Sequence, residues 1–268
     1  MDPAEIQGFR AAAEQIAVEA GKLIRSMSQD SRSIQYKGQR DMVTSVDSSA
    51  EALIVGAIQE RFPDHQILAE EGGGQSRSES EYRWIIDPLD GTTNFVHGFP
   101  VFCVSIGLEC KGQMIAAAVY DPNRGELFSA GHDLGATVND EPIHVSETKA
   151  MGQSLIATGF PYTNNAHFDL NMKAWVGLYG QTQGLRRAGA AAIDLAWVAC
   201  GRLDAYWEFC IKPWDMAAGL LLVREAGGKI SDPYGGPLDF SEGHILASNG
   251  HLHHELFTQL THFAAPNA

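Results

Sequence analysis

The 268-residue sequence predicts an α+β chain in which layers of helix pack on layers of sheet, and three stretches carry that expectation. Ile6, Phe9, Ala13, Ile16, Ala20, Leu23 and Met27 recur at steps of three and four, the stripe of a long opening helix. Apolar runs at 102–109, 114–120 and 126–130, parted by Lys111-Gly112 and Pro122-Asn123-Arg124-Gly125, read as an antiparallel meander. Beyond residue 150, strand-like runs near 154–158, 204–209 and 244–247 alternate with helical patterns.

The elements follow in order from local chemistry. Asp2 and Pro3 suit the start of the first helix. A second helical pattern, Ala50, Leu53, Ile54, Ala57 and Ile58, follows Asp47, a possible N-cap, and stops before Pro63. Trp84 to Asp87 reads as a buried strand. Pro88 lacks an amide hydrogen and is expected to end that strand, leaving Asp90 to cap a short helix whose Gly91 and Thr92 amides point outward. Such amides suit a phosphate. Pro213 and Gly227-Gly228 bracket the best-marked helix, with Asp215 in its first turn. Without repeats or linkers, residues 1–268 read as one domain, divided architecturally into halves 1–145 and 146–268.

Composition narrows the partners. A net charge of −14 opposes nucleic acid and anionic lipid, and no basic patch offsets it. The four cysteines lack paired zinc-ligand spacing and are expected to be buried, reduced thiols. The acidic start Met1-Asp2-Pro3-Ala4-Glu5 is unlike a secretory signal, and no segment reaches membrane-spanning length, so a cytoplasmic location is expected.

The chemistry is concentrated in Trp84-Ile85-Ile86-Asp87-Pro88-Leu89-Asp90-Gly91-Thr92-Thr93-Asn94, where two carboxylates leave the end of a strand. An isolated D-x-x-D is an unspecific signal. The full string, however, resembles the metal motif D-P-[LI]-D-G-T-[TS]-N of the inositol monophosphatase family at every position. Asp41 to Asp47 resembles the family's D-x-V-T-x-x-D segment, Leu68-Ala69-Glu70-Glu71 its E-E segment, and Trp214-Asp215 with Glu225-Ala226-Gly227-Gly228 its C-terminal signature. Singly, Glu70 could be a solvated carboxylate at a strand end and Asp215 a helix-dipole partner.

The resemblance implies an αβαβα layered sandwich, a homodimer and a phosphomonoesterase acting on myo-inositol monophosphate with about two or three Mg²⁺ ions and sensitivity to Li⁺. It implies that Glu70, Asp87 and the Leu89 carbonyl hold one ion, that Asp87, Asp90 and Asp215 hold a second, and that Glu70 and Thr92 orient the attacking water with Asp47 behind Thr92. Asp90 and Asp215 would also face the substrate. Gly91 and Thr92 amides would take phosphate oxygens, and Gly189, Ala191 and Glu208 the alcohol. Glu208 could instead face solvent from an alternating strand. Ala190 stands where the family often carries Ser or Thr, which removes one hydroxyl contact. The polar loop Lys37 to Asp41 is expected to be a lid that orders over bound metal and substrate.

Rival readings differ in the leaving group or the chemistry. Fructose-1,6-bisphosphatase, histidinol-phosphate phosphatase and 3′-phosphoadenosine-5′-phosphate phosphatase share the metal motif, and a catalytically silent module could share the fold. A haloacid-dehalogenase-type phosphatase would need D-x-D, and a P-loop at Glu71 to Ser76 would need a lysine.

Overall fold

A computed structural model describes residues 1–27, 34–36, 42–72, 80–162, 165–234, 236, 238 and 243–264. The chain opens with α1 (Pro3–Met27), the short antiparallel pair β1 (Ile34–Tyr36) and β2 (Met42–Thr44), and α2 (Ser45–Arg61). Seven strands then form one sheet in chain order: β3 (Gln66–Ala69), β4 (Tyr82–Asp90), β5 (Cys103–Cys110), β6 (Gln113–Asp121), β7 (Glu126–Gly131), β8 (Gly135–Val138) and β9 (Glu141–Pro142). Only β3 and β4 pair in parallel within it. The six-residue α3 (Thr92–His97) leaves the end of β4.

The second sheet has the order β11-β10-β12-β14-β13. Its elements are β10 (Leu155–Thr158), α4 (Ala166–Tyr179), β11 (Gly184–Arg186), α5 (Ala191–Ala199), β12 (Ala205–Phe209), α6 (Pro213–Glu225), β13 (Lys229–Ser231), β14 (His244–Ser248) and α7 (His253–Ala264).

Three apolar clusters define the layers. Ile16, Ala20 and Ile54 of α1 and α2 pack on Trp84, Ile86 and Ile106, one face of the first sheet. Ile85 and Val119 on its other face meet α5, α6 and the inward residues Tyr206 and Ile245 of the second sheet. Ile156, Trp207 and Leu246 face outward onto α4 and α7. The period-two alternation of a strand thus assigns neighbouring residues to different layers. Both faces of both sheets are covered, which is why their central strands read as continuous apolar runs. The expected αβαβα layering is therefore present.

Several local expectations change. Leu23 is half-buried and Ile24 completes the α1 stripe. The N-cap of α2 is Thr44, and Asp47 is its N3 partner in a capping box. Pro88 does not end β4: the strand runs on to Asp90 through a register shift between Asp87 and Asp90, where a bulge needs no ladder hydrogen bond from the proline. Nor does Asp90 cap α3. Gly91 holds that position without a side-chain cap, at φ 92°, and a Cβ there would lie 2.8 Å from the Val101 carbonyl oxygen. All four cysteines are free thiols, but only Cys103 is fully buried. The expected lid at Lys37 to Asp41 lies outside the described residues.

Candidate active site

Segments of both sheets converge where the two meet: the end of β3, the bulged end of β4 with the start of α3, the segment after β10, the strand β12, and the N-termini of α5 and α6. They enclose a cavity of about 290 Å³ whose wall includes Glu70, Asp87, Asp90, Thr92, Glu208 and Asp215. The bulge turns both β4 carboxylates inward. Asp87 Oδ1 accepts from the Leu89 amide at 2.9 Å, and Asp90 Oδ2 from the Ala192 amide at 2.7 Å. That second bond fixes the first turn of α5 against the first sheet. Asp215 Oδ2 accepts from the Lys212 amide at 3.1 Å.

One carboxylate oxygen from each of Asp87, Asp90 and Asp215 lies within 4.8 Å of the others. Their electrostatics are unfavourable without counter-ions. Burial, then the charges of Glu70, Asp90 and Asp215, hold Asp87 well above the carboxylate range, and Glu70 also hydrogen-bonds to it. Burial raises Asp90 to about 6 despite the pull of the Ala192 and Ala191 amides. Asp215 is also raised, by burial first and then by Asp90 and Glu70. Clustered oxygen donors of this kind fit divalent cations that prefer carboxylate and carbonyl ligands.

A pH dependence follows. Each raised carboxyl binds its proton more tightly folded than unfolded, so the metal-free protein loses stability as pH rises from the unfolded value of about 4 through the folded values. For Asp90 that window closes at about 6. The increase in Tm on adding Mg²⁺ to EDTA-stripped protein is therefore expected to be larger at about pH 7 than at about pH 5. Equal increments at both pH values would contradict it.

Behind the carboxylates, Thr92 Oγ1 lies 2.9 Å from Asp47 Oδ1 and 3.1 Å from the Leu89 carbonyl oxygen. Asp47 is fully buried; its Oδ2 accepts from the Thr44 amide at 2.8 Å and the Thr44 hydroxyl at 2.5 Å. The α2 capping box therefore holds Asp47 rigidly beneath Thr92. Glu51, one turn further along α2, accepts from the Glu71 amide at 2.8 Å and anchors the turn that carries Glu70. Asn94 donates to the carbonyls of Val101 and Ala188 at 2.7 and 2.8 Å, tying α3 to the Gly189 segment.

The opposite wall is polar and buried. Glu208 is 7 % exposed on a strand buried on both faces, so it does not face bulk solvent as alternation alone would allow. Tyr206 hydroxyl donates to Glu208 Oε2, and the carboxyl lies against Gly159, where a Cβ would overlap it at 2.0 Å. Burial pushes Glu208 up to about 7, with the Tyr206 hydrogen bond and Arg187 pulling it down. Gly189, Ala191, Arg187 and Asp194 complete this side.

The structure brings together every residue expected from the sequence, including the Leu89 and Gly91 backbone and the alcohol-side positions Gly189, Ala191 and Glu208. Sequence reasoning missed Glu51, Tyr206, Arg187 and Asp194. For Asp194 there was a signal, a single acid inside the apolar run Ala191 to Ala199.

A cluster of mutually repelling carboxylates at the junction of two layered sheets, facing a cavity large enough for a small ester, is the architecture of a metal-dependent phosphatase. The chain belongs to the inositol monophosphatase family, whose model matches residues 5–265. It is 49 % identical over 255 residues to an inositol-1-monophosphatase of Synechocystis sp., covering 95 % of this chain and 89 % of the relative. A protein of Pseudomonas aeruginosa named Nus factor SuhB is 46 % identical over 254 residues, covering 92 % and 94 %. The structure of an inositol monophosphatase from Anabaena (Nostoc) sp. PCC 7120 superposes with a TM-score of 0.86 at 42 % identity, covering 96 % of this chain and 97 % of that one.

Proposed function

We propose that the chain is a Mg²⁺-dependent phosphomonoesterase that hydrolyses myo-inositol monophosphate by direct attack of water. The observation that carries this is the Asp87, Asp90 and Asp215 cluster, three carboxylates within 4.8 Å whose repulsion calls for bound cations. Glu70, Asp87 and the Leu89 carbonyl would hold one ion, and Asp87, Asp90 and Asp215 another. Bound there, the ions would neutralise the phosphate dianion and the departing alkoxide.

The protein's own groups do the rest. Gly91 and Thr92 amides receive phosphate oxygens at the start of α3. Thr92 donates its hydroxyl proton to buried Asp47, so its oxygen lone pairs face the cavity and accept from the attacking water. Glu70 orients that water from the other side. Glu208, held by Tyr206 and Gly159, receives an alcohol hydroxyl, with Gly189 and Ala191 adjoining it.

The test is a single turnover in ¹⁸O-labelled water with enzyme in excess. Label is expected in the released phosphate and none in Asp87 or Asp90; label in either aspartate would show a covalent intermediate and sink the mechanism. Assays over inositol, fructose, histidinol and nucleotide phosphates, with and without Mg²⁺ or Li⁺, decide among leaving groups and expose a silent module.

The same reading takes residues 1–268 as one phosphatase domain working as a homodimer in the cytoplasm. No helix among the described residues is long and apolar enough to cross a membrane. Relatives named Nus factor SuhB raise a role with nucleic acid. A net charge of −14 weighs against direct contact, and a gel shift that persists at about 0.1 M salt would overturn that expectation.

A further inference from the structure

Asp194 is a buried carboxyl with one oxygen left unsatisfied by the described residues. It stands in the first turn of α5 and is 1 % exposed, and among the described residues none donates to its Oδ1. It nevertheless lines the active-site cavity. Buried polar atoms in folded proteins are nearly always hydrogen-bonded, so an orphaned oxygen in a cavity wall marks a place where a ligand supplies the bond.

Its neighbours indicate which ligand. The charges that act on it are Asp90, Glu208 and Arg187. Asp90 is committed to the Ala192 amide and Glu208 to the Tyr206 hydroxyl, so both have fixed positions. The Arg187 cation disfavours another metal ion at this spot and leaves a neutral donor as the better partner. Ala190, the extended N-cap of α5, precedes Asp194 by one turn, the Asp194 amide donating to its carbonyl at 3.1 Å, and both residues line the cavity. Because Ala190 carries no polar atom, hydroxyl recognition on this side of the cavity falls to Asp194.

We propose that Asp194 is a specificity-determining residue that accepts a free hydroxyl of the leaving alcohol, making the preferred substrates phosphate esters of polyols with one hydroxyl for Glu208 and another for Asp194. This rests on the phosphomonoesterase reading above. The bond is made by the alcohol and not by the phosphate, so Asp194 acts on the choice of ester.

The experiment compares kcat/KM for myo-inositol 1-phosphate with that for p-nitrophenyl phosphate, which carries no hydroxyl, in wild type, Asp194→Leu and Asp194→Asn at saturating Mg²⁺. In Asp194→Leu the polyol-to-aryl ratio is expected to fall about tenfold or more, mainly through KM for the polyol ester. Asp194→Asn, which can still accept a hydroxyl, should keep the ratio within about threefold. An unchanged ratio in Asp194→Leu, parallel loss on both esters, or equal loss in the two variants would overturn the proposal. Should Asp194→Leu fail to fold, Asp194→Ala reads the same ratio. A wild-type enzyme that cleaves the aryl ester but no polyol phosphate would instead remove the polyol reading of the site itself.

Discussion

Asp90→Asn and Asp215→Asn are each expected to lower kcat/KM by about three orders of magnitude, a loss of roughly 4 kcal/mol of transition-state stabilisation. Each substitution removes one negative charge from a group whose oxygens lie within 4.8 Å, while changing little in shape. The fold should survive, because asparagine at 90 can still accept from the Ala192 amide through its carbonyl oxygen. The metal-free variants should melt no lower than metal-free wild type, since burial already opposes ionisation at both positions, joined at Asp215 by the charges of Asp90 and Glu70. Saturating Mg²⁺ should then raise Tm less in the variants than in wild type. Full turnover in EDTA, or wild-type rates in both variants, would remove the metal site from the mechanism.

Thr92→Val and Asp47→Asn should each reduce kcat by about 10² to 10⁴, the range of a positioned acid or base, with little change in the Mg²⁺ concentration needed for half-maximal rate. Valine deletes the hydroxyl that lies 2.9 Å from Asp47 Oδ1. Asparagine at 47 reverses the bond: its amide group donates where the carboxylate accepted, so the Thr92 proton turns towards the water it should receive from. Because the residues act in series, the double variant should be little slower than the slower single one. Multiplying losses would show that Thr92 and Asp47 work independently.

Much of the site was legible because its chemistry is local in the chain. Asp87 and Asp90 are three residues apart at one strand end, and Thr92 follows two residues later. Glu70 and Asp215 lie in other segments, but each motif carries its own turn or helix start. The opening helix, the meander and the helix from Pro213 were likewise legible, since each rests on periodicity or on end signals. Pro88 misled for a physical reason. A proline stops a regular ladder, yet a bulge dispenses with that hydrogen bond, and only pairing with β5 shows that the strand resumes.

By itself, the sequence determined the alternation that divides each strand between two layers and the helix stripes, and its motifs, through their resemblance to a known family, named the oxygen donors expected to hold cations. Tertiary structure decided which groups support those donors. Glu51 is 20 residues from the Glu71 amide it receives, Asn94 is 94 from the Ala188 carbonyl, and Asp90 is 102 from the Ala192 amide. No periodicity reports such pairs, because a hydrogen bond depends on distance in space and not along the chain. Asp194 shows the same limit: a lone acid in an apolar helix is visible in the sequence, but its partnerless oxygen and its place in the cavity wall exist only once α5 is packed between the two sheets.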